Sequence, residues 1–377
     1  MTAFDVKSCL SQLWHAGIAA VSGQHVIARA LRNDPTFEPD LVISVGKAAS
    51  SMYMGALSSL PGYGKAIVVT KVKHAHPALS RFPNVRVIEA GHPIPDENSL
   101  RAGKLILRAV REQPLDAKLL FLLSGGASAL VEVLADDMGL STWQERTQHM
   151  LAGGMSIDEI NNERKETSLI KGGKLLEEFN GAEVRVYAIS DVQGDDIGVI
   201  GSGLGNGANA PCVVTTRIVG CNALARDGAA NAALAVGLPV RSNEESLYGN
   251  VFELAPRIAK TLCKGRQGVY IWGGEPTIRL PAKPGNGGRN QSLALAIAKG
   301  ITGRGNITVL VAGTDGTDGP TEAAGAIIDG DTFDTPNVAE RALAAADAGS
   351  YLQHRGKLFM TGPTNTNVMD LVVAIVE

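Results

Sequence analysis

Short runs of Val, Ile and Leu alternate with amphipathic helical stretches almost from one end of the chain to the other, and this alternation most limits the fold. Strands are predicted at residues 40–46 (DLVISVG), 65–70 (KAIVVT), 85–90 (VRVIEA), 118–123 (KLLFLL) and 184–190 (VRVYAIS), then at 268–273 (GVYIWG), 307–312 (ITVLVA), 357–361 (KLFMT) and 371–376 (LVVAIV). Apolar strands without polar alternation, separated by helices, point to a largely parallel α/β sheet buried on both faces. Helices are predicted for a long N-terminal segment through QHVIARAL, then at 48–60, 97–111, 160–179, 223–236, 246–262 and 292–299. A chain of 377 residues is long enough for two domains. The polar, turn-rich segment 237–250 (GLPVRSNEESLYGN) is the expected junction, dividing residues 1–240 from 241–377.

The net charge of -3 gives no basic footprint, so nucleic acid is not an expected partner. Cys9, Cys212, Cys221 and Cys263 form no CxxC pair, which argues for reduced thiols rather than a zinc site. The opening MTAFDVKSCL has no basic region followed by an apolar run and cleavage site, and no apolar stretch reaches the roughly 20 residues that span a bilayer. The expectation is a cytoplasmic protein with no membrane partner.

The 44 glycines are informative by position. Repeatedly an apolar strand runs into a glycine turn, and in open α/β sheets ligands collect at such carboxyl ends. Gly46-Lys47 follows the first strand, and a lysine in a first helical turn opposes the helix dipole unless an anion is present. Ser124-Gly125-Gly126-Ala127-Ser128 follows another, with small residues that admit a phosphate and two hydroxyl donors. Gly274-Glu275 ends a third strand, and Gly287-Gly288-Arg289-Asn290 opens a helix where a planar guanidinium stands beside backbone donors. Thr314-Asp315-Gly316-Thr317-Asp318 carries two carboxylates, suited to Mg²⁺ or to Asx-turns alike. Asp191, Asp195 and Asp196 crowd one turn, which favours a metal ion or a neighbouring Lys or Arg, and Asn161, Arg164, Lys165 and Lys171 on the preceding helical stretch are the expected partners. His74, His76 and His92 fall in two turns without metal-ligand spacing. No GxxxxGK[ST], no GxGxxG with a ribose-binding acid, no GxSxG and no HExxH is present.

The motifs VGKAASSM (45–52), EAGHPIPDENS (89–99), LSGGASAL (123–130), INNERKETSLIKGGKL (160–175), SDVQGDD (190–196), GGEPTI (273–278), GNGGRNQSLALAIA (285–298), AGTDGTDGPTEAAGAIIDGDT (312–332) and TGPTNTNVMDL (361–371) resemble the glycerate 2-kinase family with a C-terminal MOFRL domain. Some members of that family have carried the label hydroxypyruvate reductase. The resemblance spans nearly the whole chain. It implies a Rossmann-like N-terminal domain, a smaller C-terminal α/β domain, an active site in the cleft between them, and Mg²⁺-dependent transfer of the ATP γ-phosphoryl to the 2-hydroxyl of D-glycerate. It also places Lys47 and Arg289 at basic active-site positions. The chain departs from the family pattern at Gln193, where proline is usual, and across 199–212, which is shorter. An erythronate- or threonate-type acceptor, a hydroxypyruvate reductase and a non-catalytic metabolite sensor therefore stay open as alternatives.

On physical grounds Asp191 is the candidate base. Gly46, Ser124, Gly125, Gly126, Ser128, Arg164, Lys165, Gly274, Glu275, Gly287, Gly288, Asn290, Thr314 and Asn365 are candidates for holding substrate or nucleotide. Asp315, Asp318 and Glu275 are the candidate metal ligands. The expected partners are ATP and a small hydroxy acid, with a homodimer as the assembly to look for.

Overall fold

The computed structural model describes residues 5–60, 65–135, 137–152 and 157–377. The chain divides into two compact units. One comprises Val21–Cys221 with Asn365–Asn367; the other comprises the residues through Ala20, Asn222–Thr364 and Val368–Glu377.

The first unit is built on strands β1 (Leu41–Val45), β2 (Lys65–Lys71), β3 (Val85–Ala90), β4 (Lys118–Ser124), β5 (Glu183–Ile189) and β6 (Val213–Gly220). They form a parallel sheet in the order β3-β2-β1-β4-β5-β6, which is the doubly wound dinucleotide-fold order. β1 and β4 are neighbours although far apart in sequence, with Val45 opposite Leu123. The strand order reverses at that pair, the switch point beside whose carboxyl ends ligands bind in open α/β sheets. Leu119, Phe121 and Leu123 of β4 pack with Ile43, Val45, Val69, Ile106 and Val186 in one apolar core.

Helix Glu97–Arg111 starts where its sequence says it should. Asp96 accepts from the Ser99 backbone N–H at 2.9 Å while the Ser99 hydroxyl accepts from the Asp96 N–H at 3.0 Å, a reciprocal cap. The predicted helix over 160–179 is instead two, Ile157–Thr167 and Lys174–Glu177. Gly172 and Gly173 between them hold φ of 69° and 95°, and their N–H groups donate to the carbonyls of Ser202 and Gly203 rather than continuing a helix.

The second unit carries β7 (Val240–Glu245), β8 (Gly249–Asn250), β9 (Gly268–Gly274), β10 (Pro276–Thr277), β11 (Ile307–Gly313), β12 (Gly325–Asp329), β13 (Leu358–Phe359) and β14 (Asp370–Val376). Its main sheet runs β13-β12-β11-β14-β9-β7 and is mixed: only β7–β9 is parallel, and the other pairings are antiparallel. Continuous apolar strands signalled cover on both faces, which is correct here, but they carry no information on direction. Tyr270, Trp272, Val309, Val311, Val372 and Ala374 face helices Val251–Lys264 and Arg289–Gly300. On the other face Gly17 of helix Val6–Ala20 lies against Leu371, and Asn222 and Arg226 of helix Asn222–Ala235 lie against Gly273.

The division between the units falls at Cys221/Asn222, not near 240. The predicted junction 237–250 contains β7, which pairs with β9, so it is part of a sheet. The predicted long N-terminal helix breaks after Ala20, and helix Gly23–Arg32 belongs to the other unit. Helix Val6–Ala20 stays with the second unit because it packs closely on helix Asn222–Ala235. A side chain added at Gly17 would lie 2.7 Å from the Ala225 carbonyl, and one at Gly228 would lie 2.7 Å from Ala20 Cβ.

Candidate active site

In the first unit the groups gather at the β1/β4 switch point. The Lys47 N–H donates to the Gly125 carbonyl at 2.9 Å, and the Ala48 N–H donates to the Ser124 hydroxyl at 3.1 Å. Gly46 holds φ of 129° with its N–H on the Val69 carbonyl, and Ser124 occupies the space a side chain there would need. The backbone of the β1 turn is thus stitched to the β4 turn, and the half-buried Lys47 side chain leaves from that seam. Its Cγ lies 3.2 Å from where a Cβ on Gly126 would stand, and the His92 ring comes within 3.1 Å of the same point. At Gly125 the Cβ position is taken by the Asp191 carboxylate, with Asn367 Nδ2 2.8 Å away. Asn367 Nδ2 donates to Asp191 Oδ2 at 2.9 Å. The two-glycine turn is therefore flanked by the Lys47 side chain, the His92 imidazole, the Asp191 carboxylate and the Asn367 amide.

The structure brings Gly46, Lys47, Ser124, Gly125, Gly126 and Asp191 together and gives other predicted residues other work. Ser128 shares a hydrogen bond with Ser202 at 2.8 Å, and Ser202 donates onward to Asn161 Oδ1 at 2.8 Å. Lys171, fully buried, pairs with the equally buried Glu132, which also accepts from the Ser168 hydroxyl and the Val133 N–H. Burial pushes the Lys171 ammonium down and Glu132 pulls it back; the buried Arg164 guanidinium is lowered by burial and supported by the same carboxylate. Arg164 and Lys171 thus neutralise Glu132 rather than the acidic turn 191–196, a correction to the sequence reading. Lys165 contributes its carbonyl, which accepts from Lys174 Nζ at 2.7 Å. Asp196 closes an Asx-turn onto the Gly198 N–H at 2.8 Å, and among the described residues the acids of this turn form no group of three that could hold a metal ion.

In the second unit the centre is Arg289, the first residue of helix Arg289–Gly300, with Gly288 at the N-cap. Its Nε donates to Asp370 Oδ2 at 2.7 Å and its Nη1 to Glu275 Oε1 at 2.8 Å. These two acids sit at the facing ends of β14 and β9, where Asp370 is opposite Gly274. Burial works against the Arg289 charge, and the two carboxylates more than offset it, so the guanidinium is held firmly protonated. Asn290 Nδ2 donates to Asp370 Oδ1 at 2.9 Å. Asp318 caps the helix, accepting from the Asn290 N–H at 3.0 Å through Oδ1 and the Gln291 N–H at 2.8 Å through Oδ2. A side chain at Gly288 would collide with that cap, and Gly287 holds φ of 152° close to the Gly349 N–H. Thr314 is fully buried and ties down the following strand, its hydroxyl donating to the Met369 carbonyl at 2.6 Å and accepting from the Val368 N–H at 2.8 Å. It is structural, not a ligand contact. Asn365 is exposed, with φ of 57°.

Those commitments bear on magnesium. Asp318 already has both oxygens on helix N–H groups, and Glu275 accepts from Arg289 through Oε1. Asp315 accepts from the N–H and hydroxyl of Thr317. Among the described residues no group of three or more His, Cys, Asp or Glu could hold a metal ion. The residues present would hold Mg²⁺ at most through one or two carboxylates, a manner of binding usual for that ion.

Desolvation pushes Asp318 up to about 7, against the pull of the Gln291 and Asn290 N–H groups. A carboxyl raised in the folded state favours folding while protonated and loses that contribution as pH rises from the unfolded value of about 4 towards the folded one. The Asp318→Asn variant is therefore expected to flatten the decline in stability between about pH 4 and 7, read by urea unfolding at a series of pH values. A wild-type profile unchanged by the substitution would contradict it.

The parallel sheet and its ligand-ready turn, joined to a mixed-sheet unit with an anchored arginine, define a two-unit α/β class. Comparison with known proteins sharpens it. A family model described as a domain of unknown function (DUF4147) matches residues 9–219, and the MOFRL family model matches residues 268–370. The D-glycerate 2-kinase of Thermotoga maritima is 33% identical over 381 residues, spanning 89% of this chain and 90% of that protein. The glycerate 2-kinase of Pyrococcus horikoshii is 30% identical over 393 residues, spanning 89% and 87%. A crystal structure of a glycerate kinase (EC 2.7.1.31) from Thermotoga maritima matches with a TM-score of 0.87 at 30% identity and covers 99% of each chain. The chain belongs to the glycerate kinase family.

Proposed function

We propose that the chain is an ATP-dependent kinase of a small hydroxy acid, with D-glycerate phosphorylated at its 2-hydroxyl. The observation that carries the reading is the turn at Gly125 and Gly126, which offers a bare backbone at the switch point beside one cation, Lys47, and one carboxylate, Asp191. Phosphoryl transfer asks a protein for positioning and charge neutralisation more than for covalent chemistry. Backbone N–H groups of Gly125, Gly126 and the Gly287–Gly288 turn hold phosphate oxygens. Lys47 and Arg289 neutralise the transferring group and the acceptor carboxylate. Asp191 accepts the proton of the acceptor hydroxyl. Magnesium bound to the nucleotide supplies further charge neutralisation at the phosphates.

The names of the relatives support glycerate as acceptor, two of them with the 2-position. The absence of a dinucleotide fingerprint speaks against a reductase: the strand order is that of nucleotide folds, yet the first turn reads Gly46-Lys47-Ala48 without the three-glycine pattern. No helix among the described residues is long and apolar enough to cross a membrane.

The test is a coupled ADP-release assay across two- to five-carbon hydroxy acids, run beside an NAD(P)H absorbance assay with hydroxypyruvate. ADP release strongest with D-glycerate is the expected result. Preference for a four-carbon acid would move the acceptor, and reduction of hydroxypyruvate without ADP release would overturn the kinase reading.

A further inference from the structure

The residues at the candidate site that sequence reasoning left without a role lie on one short piece of chain. Asn367 donates to Asp191, and three residues later Asp370 accepts from Arg289. The stretch carrying them is fastened at nearly every residue. The Thr366 hydroxyl donates to the Val21 carbonyl at 2.9 Å, and Asn222 Nδ2 donates to the carbonyls of Val368 and Asp370 at 2.9 and 3.2 Å. The Thr314 hydroxyl joins the Val368 N–H to the Met369 carbonyl. Asn365 and Met369, on either side of Asn367, hold φ of 57° and 67°, a region non-glycine residues enter only where their surroundings over-determine the backbone.

We infer that Asn367 is a positioning residue for Asp191: its amide fixes the carboxylate against the Gly125 turn and keeps it in the proton-accepting form. The inference rests on the reading of Asp191 as the acceptor's base. Its support is steric and electrostatic together. Asp191 Oδ2, the oxygen that accepts from Asn367, is also the atom filling the Cβ space of Gly125, so the amide, the carboxylate and the glycine backbone are one packed trio. An amide donor at this place stabilises the ionised carboxylate, whereas a second carboxylate would oppose it. Asn is thus matched to the site in a way that its near-isostere Asp is not.

The experiment compares wild type with Asn367→Ala, Asn367→Asp, Asp191→Asn and the Asp191→Asn/Asn367→Ala pair. It measures kcat and KM against pH, melting temperature, and the carbon-13 titration of the Asp191 carboxyl. Asn367→Ala is expected to lower kcat about tenfold, raise the acid limb of the kcat profile by about one unit and leave KM for ATP within about twofold, as loss of a hydrogen bond to a charged group predicts. Asn367→Asp moves the acid limb further. On the Asp191→Asn background Asn367→Ala has no additional effect, since the two act as a unit. An unchanged acid limb in Asn367→Ala, with Asp191→Asn inactive, would overturn the inference and leave the kinase reading standing. A wild type inert towards every acceptor would sink the kinase reading instead. The carbon-13 titration would then decide the pair by itself: a higher Asp191 titration in Asn367→Ala supports the coupling, and an unmoved one refutes it.

Discussion

Lys47→Ala is expected to lower kcat/KM for ATP-dependent phosphorylation by about a thousandfold, the scale seen when a preorganised charge-stabilising group is removed, while melting stays within a few degrees of wild type. The seam that holds the turn is made by backbone N–H groups and the Ser124 hydroxyl, all of which survive the substitution. What is lost is the lysine side chain that runs beside Gly126 at the reversal of strand order. Lys47→Arg is no remedy, because a wide planar guanidinium does not replace a compact ammonium beside so close a turn. Steady-state kinetics and a thermal melt check both halves of the expectation. Near-normal turnover in Lys47→Ala would remove the lysine from the reaction.

Arg289→Ala is expected to damage stability as well as activity. Asp370, only 3% exposed at its side chain, accepts from Arg289 at 2.7 Å, and stripping the partner from a buried ion leaves an uncompensated charge. The penalty for such removals is about 3–5 kcal/mol. Burial already pushes the Asp370 carboxyl up and the guanidinium holds it down, so without Arg289 the acid takes up a proton and part of that penalty is relieved. An activity loss in Arg289→Ala alone is therefore ambiguous. The Arg289→Ala/Asp370→Asn pair separates the effects: most of the stability returns in urea unfolding, and the activity does not. If Arg289→Ala unfolds at the wild-type urea concentration, the anchoring role assigned to Asp370 is wrong. If the pair regains activity, Arg289 serves structure alone.

The sheet of the first unit was legible because β1, β2 and β4 carry apolar runs and β1, β3 and β4 lead directly into glycine. The turns at Gly46 and Gly125 were recognisable as neighbours-to-be only through the fold rule that ligands gather at carboxyl strand ends. β6 escaped notice because it is an edge strand, VVTTRIVG, with several positions open to solvent and no clean alternation. β7 was hidden by its polar composition, VRSNEE, which reads as a loop until the parallel pairing with β9 is seen. Within the candidate site, Lys47, Asp191 and Arg289 announce themselves by charge next to glycine. Their holders do not. Asn367 and Asp370 are ordinary polar residues in TNTNVMD, and their importance lies in contacts with residues more than eighty positions away. Asp318 shows the same limit: a carboxylate in a glycine turn looks like a metal ligand, and only the fold shows both oxygens on the N–H groups of a distant helix.

The most direct measurement is phosphorus NMR of a reaction containing ATP, Mg²⁺ and D-glycerate, with wild type and Lys47→Ala run side by side. The account predicts ADP and a phosphomonoester at the 2-position of glycerate in equal amounts from the wild type, and about a thousandth of that from the variant in the same time. An unchanged ATP spectrum with wild type, or the same product at the same rate from Lys47→Ala, would contradict it.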